Sequence, residues 1–266
     1  MRTRAYRYPH EHLILIVTLF LVLGIIAITV TATVCTSLIF FLGFILFSFY
    51  LTWSHHRSLI NSAQLVTEKE NPDLTRLIQE GANRLDPGEV KVYIAHNRNL
   101  NAYTFGLSSP KVIVLYSPLF KIMDRDEILF ILGHEMGHIA LGHTWLNSLV
   151  GGMAGIPSPY AAAAILSLAF LWWNRACEYS ADRAGLIACR NPNKAISALI
   201  KLEAGAGATS QQAMQIAYQR IDAEDDTLWG NLSETLGSHP LLIKRINQIK
   251  KYAASSQYQH ILRQLS

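Results

Sequence analysis

The chain has 266 residues, a formal net charge of +4, and 50% hydrophobic against 16% charged residues. So small a charge, with no basic stripe, leaves nucleic acid out of the expected partners. Three cysteines cannot build a disulfide framework and read as free cytosolic thiols. The length suits a membrane anchor followed by one compact domain.

Residues 1–12 form a short N-terminal segment carrying Arg2, Arg4 and Arg7. Two long apolar runs follow, at about 13–34 and 36–53. Each is close to the roughly 20 residues needed to cross a hydrocarbon core. The link between them is too short for a domain, so 13–53 is predicted to be a transmembrane helical hairpin. Tyr8, Tyr50 and Trp53 stand where interfacial aromatics belong. Arg2, Arg4 and Arg7 precede the first run, and His55, His56 and Arg57 follow the second. The positive-inside rule then puts both the N-terminus and everything after residue 53 in the cytoplasm. A cleaved signal peptide is the competing reading of the first run, but the stretch is too long and lacks an obvious cleavage site.

The remainder, 54–266, is expected to be one domain, α+β and mostly helical. Residues 54–85 read as helices broken at Pro72, with Leu74, Leu77 and Ile78 packing inward. Residues 90–95, 101–107 and 111–116 read as a small three-strand sheet, the second and third strands joined by a turn at Ser108-Ser109-Pro110. A helix then opens at Asp124, whose side chain is a candidate cap, with Glu127 three residues on completing a capping box. Ile128, Leu129, Ile131, Leu132, Ile139 and Leu141 give it an apolar surface. Gly133 and Gly137 fit a place where another backbone or a substrate comes close, and Gly142 is a plausible stop. A long helical run begins near Pro159, and further helices are expected at 193–202, around 211–221 and at 240–252. Between 204 and 236 lies a stretch with acidic residues at 222–226 that reads as a surface connection or a flap.

The chemistry sits in His134-Glu135-Met136-Gly137-His138. On a helix, i and i+4 share a face, so His134 and His138 can point two imidazoles at one ion. Glu135 lies about 100° further round, beside the ion, where a general base would take a proton from activated water. A catalytic site needs a third protein ligand and keeps one position open. His143 is a candidate but is rotated well away from the first two. The metzincin spacing fails, since its Gly and His positions are Leu141 and Thr144. Glu178 is the better candidate, with Asp182 one turn on to accept a hydrogen bond from the far nitrogen of a ligand histidine. Cys177 is expected to face elsewhere. Because His138 and Glu178 must meet at one ion, the apolar stretch at 145–173 crosses a bilayer an even number of times. It is too short for two crossings and is broken by Gly151, Gly152, Gly155, Pro157 and Pro159, so a non-spanning hairpin of two short helices is predicted.

These motifs in this order resemble the membrane zinc endopeptidases of the HtpX and CAAX-prenyl-protease superfamily, which are gluzincins. The resemblance runs from about 97 to 248 and includes Asn101-Ala102-Tyr103-Thr104-Phe105-Gly106 with the strand after it, and Ser238-His239-Pro240 with Lys244-Arg245-Ile246. The family has more hydrophobic sequence between its ligands, enough for two further spans, and this chain departs from it there. The resemblance implies one Zn²⁺ per chain on His134, His138 and Glu178, Glu135 as general base, and a protein or peptide substrate. It also implies His239 as the donor that steadies the tetrahedral oxyanion, the competing reading of His239 being a helix cap before Pro240; Tyr103 and Tyr179 are lesser donor candidates. Arg245 is expected to brace Asp182 or another carboxylate. The strand bearing Asn101, Ala102 and Tyr103 is expected to offer a free edge to an extended substrate. The expected setting is the bilayer, a bacterial plasma membrane, with membrane or misfolded proteins as substrates. The competing function is a membrane-anchored, chaperone-like metal-binding module without proteolytic activity, which would have no use for Glu135. A prenyl protease proper encloses its site in many more spans than this chain offers.

Overall fold

The computed structural model describes residues 3–32, 43, 46–47, 50, 53–54, 56–96, 100–106, 109–144, 161–204, 219 and 242–265. The described elements, in chain order, are α1 (Thr3–Tyr6), α2 (Glu11–Ala32), β1 (Gln64–Leu65), α3 (Pro72–Leu85), β2 (Val90–Ala95), β3 (Ala102–Phe105) and β4 (Lys111–Tyr116). After them come α4 (Leu119–Ile122), α5 (Arg125–Ala140), α6 (Ala161–Cys189), α7 (Pro192–Ala204), α8 (Leu242–Ala253) and α9 (Ser256–Leu265). The fold is mostly helical with a small mixed sheet.

The sheet has four strands rather than the predicted three, in the order β1-β2-β4-β3. The strand the sequence hid is β1, two residues long and therefore without a readable alternation. It pairs antiparallel with β2, while β2 and β4 run parallel. β3 and β4 form the antiparallel pair, with Tyr103 opposite Val114. β4 is buried on both faces, which is why it reads as an unbroken apolar run. Ile113 and Leu115 turn toward α3 and α5. Val114 and Tyr116 pack with Leu59, Ile60 and Ala63 on the other side. β3 occupies an outer edge of the sheet.

α5 and α6 form the centre of the molecule. α5 starts as the sequence predicts: the Asp124 carboxylate accepts from the backbone N–H groups of Asp126 and Glu127, and the Glu127 carboxylate returns a bond to the Asp124 N–H. The helix runs to Ala140, and Gly142 beyond it adopts φ +80, a conformation that suits glycine. The glycines inside α5 are contact points. A Cβ on Gly137 would stand 2.6 Å from the Ala184 Cβ, and one on Gly133 would collide with Ala188. α7 is fastened to α5 through Lys201, whose Nζ donates to the buried Glu127 carboxylate at 2.7 Å. Gly81 of α3 packs on Met136 of α5.

Of the predicted transmembrane hairpin, one helix is shown among the described residues. α2 contains an 18-residue window, Glu11–Ile28, with mean hydropathy 2.6. Its outer surface is apolar and open, with Phe20 73% and Ile28 71% exposed. Such a surface is stable only against lipid or another apolar partner. Most of 36–53 lies outside the described residues. So does 145–160, the first part of the predicted apolar hairpin. Its second part is no separate short helix: from Ala161 it is the start of the 29-residue α6. Phe170, Trp173 and Cys177 of α6 pack against Ile14, Leu15 and Val22 of α2.

The N-terminal segment, predicted as a mere cytoplasmic flank, is built into the fold. Tyr6 is fully buried, the Tyr8 N–H donates to Ser180 Oγ at 2.7 Å, and the Tyr252 hydroxyl donates to the Ala5 carbonyl at 3.0 Å. Arg183 lies between the rings of Tyr8 and Tyr252. Arg7, counted in the sequence as a flanking positive charge, is paired with Glu11.

Candidate metal centre

α5 presents His134 and His138, and α6 presents Glu178. The two Nε2 atoms lie 3.2 Å apart. Glu178 Oε1 stands 3.5 Å from His138 Nε2, and Oε2 stands 3.7 Å from His134 Nε2. A tetrahedral ion with ligand distances of about 2.0–2.1 Å sets its ligand atoms about 3.3 Å apart. The three side chains therefore fit the corners around one such ion, and they could hold it.

The tautomers lead to the same place. The His134 Nδ1 faces Asp182 Oδ1 at 3.0 Å. A carboxylate only accepts, so Nδ1 carries the proton and Nε2 keeps its lone pair. The Asp182 carboxylate is held in turn by Arg245, whose Nε and a terminal nitrogen donate at 2.9 and 2.6 Å. His138 is held differently. Its Nδ1 lies 3.0 Å from the Nδ1 of His143, and the His143 Nε2 lies 3.2 Å from Glu11 Oε1. The Glu11 carboxylate makes His143 donate through Nε2, so its Nδ1 accepts from His138. Both rings thus aim lone pairs at the same point, and two lone pairs 3.2 Å apart repel unless a cation lies between them.

Burial works against a charge on His134, but the Asp182 hydrogen bond and the charges of Glu178 and Asp182 together outweigh it and raise the ring's pKa. Asp182 stays below its ordinary carboxylate value: burial would raise it, but Arg245 prevails. His143 is pushed by burial down to about 4 and is neutral. Glu135 sits beside the ligands, pushed by burial above the usual carboxylate range, with a side-chain hydrogen bond to Thr104. That direction suits a base working near neutral pH.

A cleft of about 330 Å³ opens over these residues, lined on one side by Asn101, Ala102, Tyr103 and Thr104. The strand read as a substrate edge is therefore an outer strand of the sheet and borders the metal group. The Tyr103 ring itself packs with Phe105, Val114 and Tyr116 on the sheet face away from α5, which removes it as an oxyanion donor. Tyr179 is turned to Tyr8, ring centroids 5.0 Å apart. His239 lies outside the described residues. Cys177, expected to face elsewhere, lies beside Glu11 and His143, next to the centre.

Sequence reading missed two participants. Thr104 carried no signal beyond its place in the strand. Glu11 carried one: a carboxylate at the head of an apolar helix needs a partner, because a lone charge there is costly.

A family model for peptidase family M48 matches residues 68–253. The chain belongs to that family. It is an HtpX-like metallopeptidase. Plastoglobule-localized metallopeptidase 48, chloroplastic, of Arabidopsis thaliana is 28% identical over 218 residues, covering 77% of this chain and 63% of that protein. A protease HtpX homolog of Ralstonia pickettii is 24% identical over 255 residues, covering 84% of this chain and 88% of its own length. A protease HtpX homolog of Pyrococcus furiosus is 25% identical over 251 residues, covering 78% and 82%. The peptidase thus pairs a metal-dependent activity with an N-terminal helix fit to cross a membrane.

Proposed function

We propose that this peptidase is a membrane-anchored zinc endopeptidase acting on extended polypeptide close to the bilayer, with His134, His138 and Glu178 as zinc ligands. The observation that carries the reading is the convergence of two imidazole lone pairs and one carboxylate at tetrahedral edge distances, with Glu135 alongside. Two nitrogens and one carboxylate, with no fourth protein ligand among the described residues, is the donor set of a catalytic zinc rather than a structural one. When bound, zinc lowers the pKa of a coordinated water toward about 7 and polarises the scissile carbonyl.

The protein's own groups do the rest. Glu135 takes the proton of the attacking water on a carboxylate oxygen and delivers it to the nitrogen of the leaving amine. The Thr104 bond orients Glu135 for both transfers. Arg245 and Asp182 keep the His134 ring from turning. β3 offers main-chain N–H and C=O groups to an extended substrate, which positions the scissile bond beside Glu135. His239 remains the proposed oxyanion donor. The domain from 54 onward and the N-terminus lie on one side of the bilayer, a placement supported by the packing of residues 3–11 on α6 and α8. The positive flanks favour the cytoplasmic side. The start of α2 beside the site supports membrane or misfolded proteins as the substrate class.

The test is cleavage of an unfolded protein by the detergent-purified chain, with bound zinc measured in the same samples. Glu135→Gln should keep its zinc and lose about 10²–10⁴-fold in rate, and chelation should abolish cleavage. A Gln variant as fast as the parent would sink the assignment.

A further inference from the structure

Among the described residues no carboxylate reaches His138 Nδ1; it has His143, and His143 has Glu11. We propose that Glu11 and His143 form a hydrogen-bonded relay that holds His138 in ligand geometry, making the head of the apolar helix α2 a working part of the metal centre. The proposal rests on His138 being a ligand, as above.

Each link is buried and directional. Glu11 is 2% exposed and His143 2% exposed. Glu11 Oε1 meets both Arg7 and His143, and Oε2 accepts from the Ser180 hydroxyl. Arg7 also reaches the carbonyl of Leu141, at the end of α5, at 3.4 Å. The Glu11 carboxylate is thereby anchored to α6 through Ser180 and to the end of α5 through Arg7. With Glu11 fixed, His143 has one tautomer, and with that tautomer His138 must donate through Nδ1. A ligand histidine gains basicity and a fixed ring plane when its second nitrogen donates to such a partner. The Trp173 ring stands edge-on to His143 with centroids 6.0 Å apart and closes the side facing α2. Cys177 lies within the same group, so a second ion on Glu11, His143 and Cys177 is the rival occupant. Arg7 on the Glu11 carboxylate argues against it, because the guanidinium already neutralises that charge.

The full chain in detergent, titrated with zinc against a chromophoric chelator, decides the matter. His143→Ala should weaken zinc binding about 10–100-fold. His143→Gln keeps an acceptor for His138 and a donor for Glu11, and should stay within a few-fold of the parent. Glu11→Gln should weaken binding about tenfold, yet add nothing in the His143→Ala background, because Glu11 acts through that ring. Cobalt(II) absorption should shift in His143→Ala and return in His143→Gln. An Ala variant that binds as the parent does would overturn the relay. So would a Gln variant as weak as Ala, an additive Glu11 effect, or two zinc ions per chain. If the parent binds zinc but cleaves nothing, the peptidase reading falls and the relay is still judged on affinity. If cleavage depends on Glu135 while His143→Ala leaves affinity intact, the relay alone falls.

Discussion

The two histidines of the metal centre sit one helical turn apart and are held by opposite means. His134 leans directly on Asp182, a carboxylate on the helix that also carries Glu178, with Arg245 of α8 behind it. His138 leans on a second imidazole, which leans on a carboxylate from the very start of the apolar helix. The first support lies inside the globular domain. The second crosses from that domain to the anchor. One ligand is thus fixed by the enzyme's core packing and the other by how the anchor is seated. A disturbance of α2 should be felt at His138 before it is felt at His134.

The direct arm offers the largest break. Asp182→Ala strips a buried guanidinium of its main partner and frees the His134 ring. We expect about 3–5 kcal/mol less unfolding free energy, read from denaturant midpoints, with zinc affinity down about 10–100-fold. An unchanged midpoint would mean that Arg245 finds full compensation in Glu178, which it also approaches at 3.4 Å. Next comes the spacing on which both arms depend. Gly133→Ala forces α5 away from Ala188 and should cost about 1–3 kcal/mol. Pairing it with Ala188→Gly should restore part of the loss, because the added methyl still meets the Gly185 Cα at 3.0 Å. No rescue at all would mean that the α6 backbone at Gly185, rather than the Ala188 methyl, sets the spacing.

Smaller effects sharpen the contrast between ligands and base. Thr104→Val removes the hydrogen bond to Glu135 without touching either arm, and should slow turnover about tenfold, the worth of one bond of ~1.4 kcal/mol. Zinc affinity should not move, and a fall in affinity would place Thr104 with the ligands instead. Asp124→Ala, at the far end of α5, should cost about 1 kcal/mol as a lost cap. Burial alone would raise the Asp124 pKa, but Lys194 and the Glu127 and Asp126 amides bring it below the ordinary value. A depressed folded pKa stabilises the fold above the unfolded value of about 4 and loses that contribution as pH falls through the folded one. The cost of the substitution should therefore be full at neutral pH and shrink as the pH falls below the unfolded value. A cost that does not change with pH would assign it to helix propensity rather than to the charged cap.

Local rules were enough for much of this protein. The i, i+4 pairs His134/His138 and Glu178/Asp182, the capping box at Asp124 and the apolar run of α2 are all properties of a few neighbouring residues, so period and spacing reveal them. β1 escaped because two residues show no period, and the start of α6 also reads as half of a short hairpin because the same composition serves a membrane hairpin or a buried core helix. The relay through Glu11 and His143 could not be read at all. It joins residues 132 positions apart, and only the packing of α2 on α6 brings a carboxylate that opens a membrane helix into a place where it is buried, paired and aimed at a ligand.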